Sequence, residues 1–452
     1  MNGSSPNSAV IVRKSVLLNS IQFGGKELKH IILFCPGNLN FGDNAILFTW
    51  LEFFDSILCR DDEVTILGCE TSYIESLLNR FHYRIFCTSL LHHYIWKHGA
   101  TETTMATCSE NVLRGKDSFD EFEPMSSFLP DIFRKSDYVH ILGGGILNSM
   151  WVDIQYQVKL VVSLAKKYGK KVVLTGQTIG PLDSKGEENL CGVFQDVDLC
   201  DLRDTSCVEY LKGLNNSTIS TVDDVFIHLA ARKGRPKNVP ESICQMAKQK
   251  HINVCIQKWG SVQEAVYHKQ LKELAAFLRG YLSQYQECKL YLLEFMPLDA
   301  DSEMADLLLS ILGEDYKTKT VKLSLPNFYP FDASRILETA ELNIGTRFHM
   351  ALFSLTANVP TVSFYLDEYY NRKFRGLEDL FRCRFTLPFE TFGMNDIWEL
   401  IDHTGEATNS SIVWKEQAKK KMVAYYNTCW RDDLSIERIR FYYYMKKNFY
   451  VS

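Results

Sequence analysis

The 452-residue sequence has no run approaching the roughly 20 apolar residues that cross a bilayer, and its first stretch, "MNGSSPNSAVIVRKSVLLNS", has no long apolar core of the kind a secretory leader carries. A cytoplasmic protein is the expectation. The sequence also lacks a CxxC pair. Its 13 cysteines are scattered from Cys35 to Cys429 in no regular framework, which argues against a disulfide scaffold or a zinc site, so neither a metal nor a cofactor is expected. An excess of positive charge is missing too: 50 Lys and Arg against 55 Asp and Glu leave a net charge of -5, which excludes a general nucleic-acid binder. Any anionic ligand must then be held by a local cluster of cations. Internal repeats and low-complexity tracts are absent.

What is present is an ordinary globular composition, 46% hydrophobic and 23% charged, in a chain longer than a single core usually supports. After a polar segment (1–29), "HIILFC" opens an alternation of short apolar runs and amphipathic stretches, the pattern of β-α-β units around a parallel sheet. Candidate strands are Val64–Leu67, Tyr138–Leu142, Lys171–Thr175 and Asp198–Arg203. The clearest unit passes from "YVHIL" through "GGG" into the helical "WVDIQYQVKLVVSLAKKYG", with Gly169 as its C-terminal stop. A basic, proline-bearing stretch (231–250) reads as a linker. The alternation then restarts with "INVCIQ". The division expected is one Rossmann-like domain over 30–230, a second over 251–395, and a helical tail over 396–452. Residues 90–128 are polar and poorly periodic and predict an excursion or lid.

In doubly wound sheets, ligands sit beyond the carboxyl ends of strands, where loops enter helices and backbone N–H groups point outward. Five loops hold that position here. "PGNLNFGDNAI" supplies Asn40, Gly42 and Asp43; a structural role for Asp43 would be as a helix N-cap. Gly143, Gly144 and Gly145 permit close backbone approach of an anion or sugar, or simply a tight turn. "TGQTIGPL" offers Gln177 as a donor and acceptor for a hydroxylated substrate. "LRDTSCVEYL" puts Arg203 at a strand end, either as an anion clamp or as the ion-pair partner of Asp204, with Asp204 or Thr205 capping the next helix. In "GTRFHMALFSLTANVP", Arg347 and His349 stand at a helix N-terminus, where the dipole already favours an anion and tends to keep His349 neutral until one binds.

Taken in order, "NFGDNAI", "ILGGGILN", "GQTIGPL", "LRDTSCVEYL", "DDVFIHL", "GTRFHMALFSLTANVPTVSFY" and "YYNRKF" resemble the polysaccharide pyruvyl transferases. The resemblance implies a GT-B-like architecture, two Rossmann-like domains facing a cleft. It implies transfer of the enolpyruvyl group of phosphoenolpyruvate to sugar hydroxyls, ending as a pyruvate ketal. By position, Arg347, Phe348 (through its backbone), His349, Arg203 and Lys373 match the family's phosphoenolpyruvate-binding set, and Asp43 its Asn-x-Gly-Asp. His349, Arg347 and Asp43 become the catalytic candidates. Asn40, Gly42, Asp43, the three glycines and Gln177 become the acceptor-sugar candidates. The sequence departs from the family in one place: Asp223 is followed by Asp224 where Asp-Pro is common. A lipid-linked acceptor follows by family analogy, and the Tyr/Lys-rich tail "RIRFYYYMKKNFYVS" is either a membrane-touching surface or a helix packed back on the protein. Two other readings stay open: a nucleotide-sugar glycosyltransferase or epimerase, and a non-catalytic carbohydrate-binding member of the fold.

Overall fold

The computed structural model describes residues 28–35, 40–68, 75–89, 91, 123–204, 207–208, 211, 217–231, 239–404, 411–431 and 436–450. The segment 1–27, Thr205, most of the 90–128 stretch and 232–238 of the expected linker lie outside them.

The first sheet is built from β1 (His30–Cys35), β2 (Glu63–Gly68), β3 (Arg84–Thr88), β4 (Tyr138–Ile141), β5 (Gly144–Leu147), β6 (Lys171–Ile179), β7 (Leu199–Leu202) and β8 (Thr218–Ser220). All described pairings are parallel, in the order β3-β2-β1-β4-β6-β7-β8, with β5 lying on β6 off that path. A parallel sheet must be covered on both faces, which explains the near-continuous apolar strands. Along β1, Ile31 and Leu33 enter one core while Ile32 and Phe34 enter the core on the opposite face. The second sheet, from β9 (His251–Cys255), β10 (Lys289–Glu294), β11 (Thr320–Ser324), β12 (Leu342–Gly345), β13 (Thr361–Tyr365) and β14 (Thr386–Pro388), is also parallel, in the order β11-β10-β9-β12-β13-β14. Both sheets reverse strand order beside their first strand, between β1 and β4 and between β9 and β12. Those reversals are the topological switch points at which such folds bind ligands.

Helix α1 (Phe41–Ile57) follows β1 and is buried nearly all round. That follows from its apolar residues covering every face: Trp50, Phe53 and Phe54 pack inside the first domain, while Phe41 meets Phe295 and Phe353 of the second at 5.0 and 5.9 Å. The Phe41 N–H donates to the Phe295 carbonyl at 2.8 Å, so α1 also fixes the approach of the two sheets.

Three local expectations change. The triple glycine does not lead directly into α2 (Val152–Lys167), because β5 intervenes. Asp43 does not cap α1: Asn40 does, its Oδ1 accepting from the N–H groups of Gly42 (2.8 Å) and Asp43 (3.5 Å), because the helix begins at Phe41. Part of the expected linker is α3 (Glu241–Lys248), whose Ile243 is fully buried against the second domain's core.

Past the second sheet, α6 (Ser411–Cys429) and α7 (Ile436–Phe449) return to the first domain, where Phe441 meets Phe53 at 4.9 Å. Lys421 is wholly buried there, its ammonium donating to Asp224 (2.5 Å) and the Val222 carbonyl (2.5 Å) and pairing with Asp201 (2.9 Å). Among the described residues, no helix is long and apolar enough to cross a membrane.

Candidate active site

The two switch points face one another, and a small cavity of about 70 Å³ lies between them. From the first domain, Asn40 and Asp43 reach it from the start of α1, Gly144 and Gly145 from β5, and Arg203 from the end of β7. From the second come Gln257 beyond β9, Phe295 beyond β10, and Arg347, Phe348 and His349 at the start of α4 (Phe348–Thr356). Tyr370 and Lys373 complete the wall from α5 (Glu368–Phe381).

The cations are not free point charges. Arg347 is the N-cap residue of α4 but gives no side-chain cap; its guanidinium donates to Asp299 (2.9 Å) and Asp301 (2.5 Å). Arg203 donates through Nη1 to Asp223 (2.6 Å) and through Nε to Thr178 Oγ1 (2.7 Å), with its guanidinium carbon 4.4 Å from the centre of the Phe348 ring. Asp204, the partner considered from sequence, is farther from Arg203, at 3.9 Å. Asp223 also stands 3.6 Å from His349 Nε2, an ion-pair rather than a hydrogen-bond distance. Burial pushes the Asp223 carboxyl up, but His349 and Arg203 together pull it well below the usual carboxylate range, so it stays ionised. The charge nearest the His349 ring is therefore this carboxylate, which the helix-dipole argument had not included.

Two groups have the opposite character. Burial raises the Asp43 carboxyl above its ordinary value despite His349, Lys373 and Arg203 nearby. Burial, with repulsion from Arg203, brings the Lys373 ammonium down to about 7. Lys373 donates to the Tyr369 hydroxyl at 2.8 Å, and that hydroxyl donates across the cleft to the Gly145 carbonyl at 2.6 Å. A lysine poised near neutrality beside a carboxyl held above its ordinary value is suited to proton transfer in a cleft.

The glycines divide by what stands against them. A Cβ on Gly42 would stand 2.0 Å from His349 Nδ1, and one on Gly145 would stand 2.1 Å from the Tyr369 hydroxyl; both admit side chains from the other domain. Gly143 does not line the cavity. Its Cβ position is filled by the carbonyls of Thr175 and Gly176 at 2.7 Å, so it serves strand packing and not a sugar. Gln177 is a second correction. Strand β6 continues through it to Ile179, so its side chain turns into the sheet and donates to the carbonyls of Leu142 (2.9 Å) and Thr175 (3.0 Å), wholly buried. Asn40 does line the cavity, but its oxygen is committed to the cap.

Sequence reasoning missed Gln257, Phe295, Tyr369, Tyr370, Asp299 and Asp301. Asp223 carried no signal in the sequence beyond its place in the Asp-Asp departure from the family pattern. Acidic loop residues that meet Arg347 from 48 and 46 positions away carry no local signal.

Three residues lining this cavity each carry a buried polar atom that makes no hydrogen bond: Gln257 Oε1, Arg347 Nε and His349 Nε2. A buried polar group left without a hydrogen bond costs about 1–3 kcal/mol, and three of them belong to residues around this one cavity. A larger hollow of about 410 Å³ between α1 and α7, lined by Glu52, His228, Arg440 and Lys447 among others, is remote from the strand ends. Cys59, Asp62 and Glu437, which come within 4.8 Å of one another, lie beyond the far end of α1. There, Cys59 Sγ is contacted by Arg440 Nη1 at 3.0 Å and Asp62 accepts from the Lys29 N–H at 3.1 Å, so hydrogen bonds account for that group.

Two parallel Rossmann-like sheets with facing switch points define a GT-B-type protein. Among solved structures, S. aureus MnaA with UDP is similar at 11% identity and a TM-score of 0.54, over 88% of this chain and 97% of that one. The UDP-GlcNAc 2-epimerase from Neisseria meningitidis bound to UDP-GlcNAc is similar at 10% identity and a TM-score of 0.51, over 88% and 100%. At such identities the likeness is one of fold. No curated protein matches the sequence. The sequence profile described as polysaccharide pyruvyl transferase matches residues 40–368: the chain belongs to that family and is a transferase.

Proposed function

We propose that the protein transfers the enolpyruvyl group of phosphoenolpyruvate to a sugar hydroxyl and closes it to a pyruvate ketal with release of phosphate. The observation that carries this reading is the convergence on one cavity of Arg203, Arg347, His349 and Lys373, with Asp43 beside them and three polar atoms left without partners. Phosphoenolpyruvate carries a carboxylate and a phosphate, and both need donors of this kind. The aspartates behind Arg203 and Arg347 fix the guanidinium planes before substrate arrives, so less entropy is lost on binding. Lys373, brought down to about 7, supplies charge that can adjust to the anion.

In the reaction, the vinyl carbon takes a proton to become a methyl group, and the adjacent carbon becomes oxocarbenium-like. A sugar hydroxyl attacks that carbon and gives up its proton. The phosphate then leaves, and a second hydroxyl closes the ring, its proton going to the departing phosphate. Two hydroxyl protons thus balance the one gained by carbon and the one gained by phosphate. His349 delivers protons to the vinyl carbon or the phosphate, and Asp43 takes the hydroxyl proton, burial having raised its carboxyl above the ordinary value and made it a better proton acceptor.

The exposed stripe of Ile439, Tyr442, Tyr443, Lys446, Lys447 and Tyr450 on α7 and just beyond it recurs at helical spacing, opposite the buried Phe441 and Met445. It supports seating on an anionic membrane where a lipid-linked acceptor would be presented. Incubation with phosphoenolpyruvate and with a panel of UDP-sugars, each with saccharide acceptors, tests the reaction. Phosphate release that depends on acceptor, and is lost in His349→Ala, is the expected result; UDP release from a UDP-sugar would replace this reading with that of a glycosyltransferase.

A further inference from the structure

A cavity of about 70 Å³ holds little beyond the reacting atoms, since ligand sites usually measure 300–1,000 Å³. An acceptor longer than one sugar must therefore lie across the rim, and the rim has a definite chemistry. Met150, Trp151 and Val152 are consecutive and exposed, at 41%, 38% and 38%, where β5 gives way to α2. Trp151 is the N-cap residue of α2, yet its side chain makes no cap hydrogen bond; the Asn148 side chain instead accepts from its backbone N–H at 3.2 Å. The Trp151 ring caps nothing and is left more than a third exposed.

Across the cleft, Trp259 follows β9. Its indole N–H donates to Asp367 at 2.7 Å, which fixes the ring, and its backbone N–H donates to the Tyr267 hydroxyl at 2.6 Å, which fixes the chain that carries it. The Trp151 and Trp259 ring centres are 6.4 Å apart at 68°. Trp259 in turn lies 6.3 Å from Tyr369, 11° from parallel, and Tyr369 holds Lys373 in the reaction cavity. An aromatic row thus runs from the exposed rim to the reacting groups, with one ring from each domain at its outer end. The C–H faces of pyranose rings carry partial positive charge and stack on the negative faces of indoles, and a fixed indole loses little entropy in doing so.

We propose that Trp151 and Trp259 form a sugar-stacking subsite for the acceptor residue next to the one that reacts. The word acceptor rests on the pyruvyl-transfer reading; saccharide binding at these rings does not. Saturation-transfer NMR and calorimetry without phosphoenolpyruvate test it with methyl β-glucoside, methyl β-galactoside, cellotriose, chitotriose and β-1,4-galactotriose as probes. At least one trisaccharide should bind about tenfold tighter than its monosaccharide, and Trp151→Ala should remove that advantage while Trp151→Phe keeps most of it. Trp151 is more than a third exposed, and an unchanged thermal midpoint in Trp151→Ala checks that the fold is kept. No length-dependent binding by the unaltered protein, or equal weakening of mono- and trisaccharide in Trp151→Ala, overturns the subsite. Trp151-dependent binding without phosphate release on adding phosphoenolpyruvate would leave the subsite standing and remove the donor instead.

Discussion

Replacing Lys421 by Met should unseat the helical tail through electrostatics alone. Lys421 lies wholly buried between Asp201 and Asp224, also wholly buried, and the three share hydrogen bonds with Thr221, the Gly176 N–H, Thr175 and Trp50. Here the residue that departs from the Asp-Pro pattern, Asp224, finds its counter-cation 197 positions away. Removing one partner of a buried pair costs about 3–5 kcal/mol, because the remaining charges are uncompensated. With a urea m-value of about 2–3 kcal/mol/M, the midpoint should fall by roughly 1–2 M. The pH dependence gives the sharper check. Burial raises the Asp201 carboxyl and Lys421 opposes that rise, so without Lys421 its folded pKa climbs further above the unfolded value. A raised carboxyl favours the folded state when protonated, so the deficit should be greatest where that carboxyl is ionised and shrink as pH falls through its raised pKa. Lys421 itself is raised in the native protein, and its own contribution persists until pH passes above 10.5. Asp201→Asn combined with Lys421→Met should recover part of the loss. A deficit below about 1 kcal/mol, a deficit indifferent to pH, or a double variant no more stable than the single one would refute the reasoning.

Lys373 loses its charge as pH rises through about 7, so kcat/KM for phosphoenolpyruvate should fall above neutrality, and Lys373→Arg, which stays charged, should remove that limb. Gly42→Ala puts a methyl group 2.0 Å from His349 Nδ1, so the ring must move: turnover should drop, with the thermal midpoint lowered by an overlap of about 1–3 kcal/mol less the helix gain of about 1 kcal/mol, and unchanged turnover would contradict the contact. Asp43→Asn should lower kcat by about 10²- to 10⁴-fold with the fold intact by circular dichroism, and a smaller effect would leave Asp43 as a sugar ligand only.

The architecture was legible because parallel strands buried on both faces leave unbroken apolar runs such as "HIILFC", and glycine-bearing loops follow them. Residues at the strand ends were harder to place, since one further residue of strand reverses a side chain. That is why Gln177 turned inward while Arg203, on the neighbouring strand's end, reached the cleft. The N-cap of α1 falls three residues earlier than expected, at Asn40 and not Asp43, and that shift released Asp43 from capping into the cavity. Contacts between distant parts of the chain, Arg347 with Asp299 and Asp301, Tyr369 with Gly145, Lys421 with Asp224, leave no periodicity to read. They decide the electrostatics of the site all the same.

The central claim is tested most directly by following ¹³C-labelled phosphoenolpyruvate by NMR in the presence of a saccharide acceptor. The account predicts loss of the vinyl signals, stoichiometric inorganic phosphate and a new methyl resonance of a ketal, all absent in His349→Ala. Persistence of the vinyl signals with every acceptor, together with UDP release from a UDP-sugar, would contradict it.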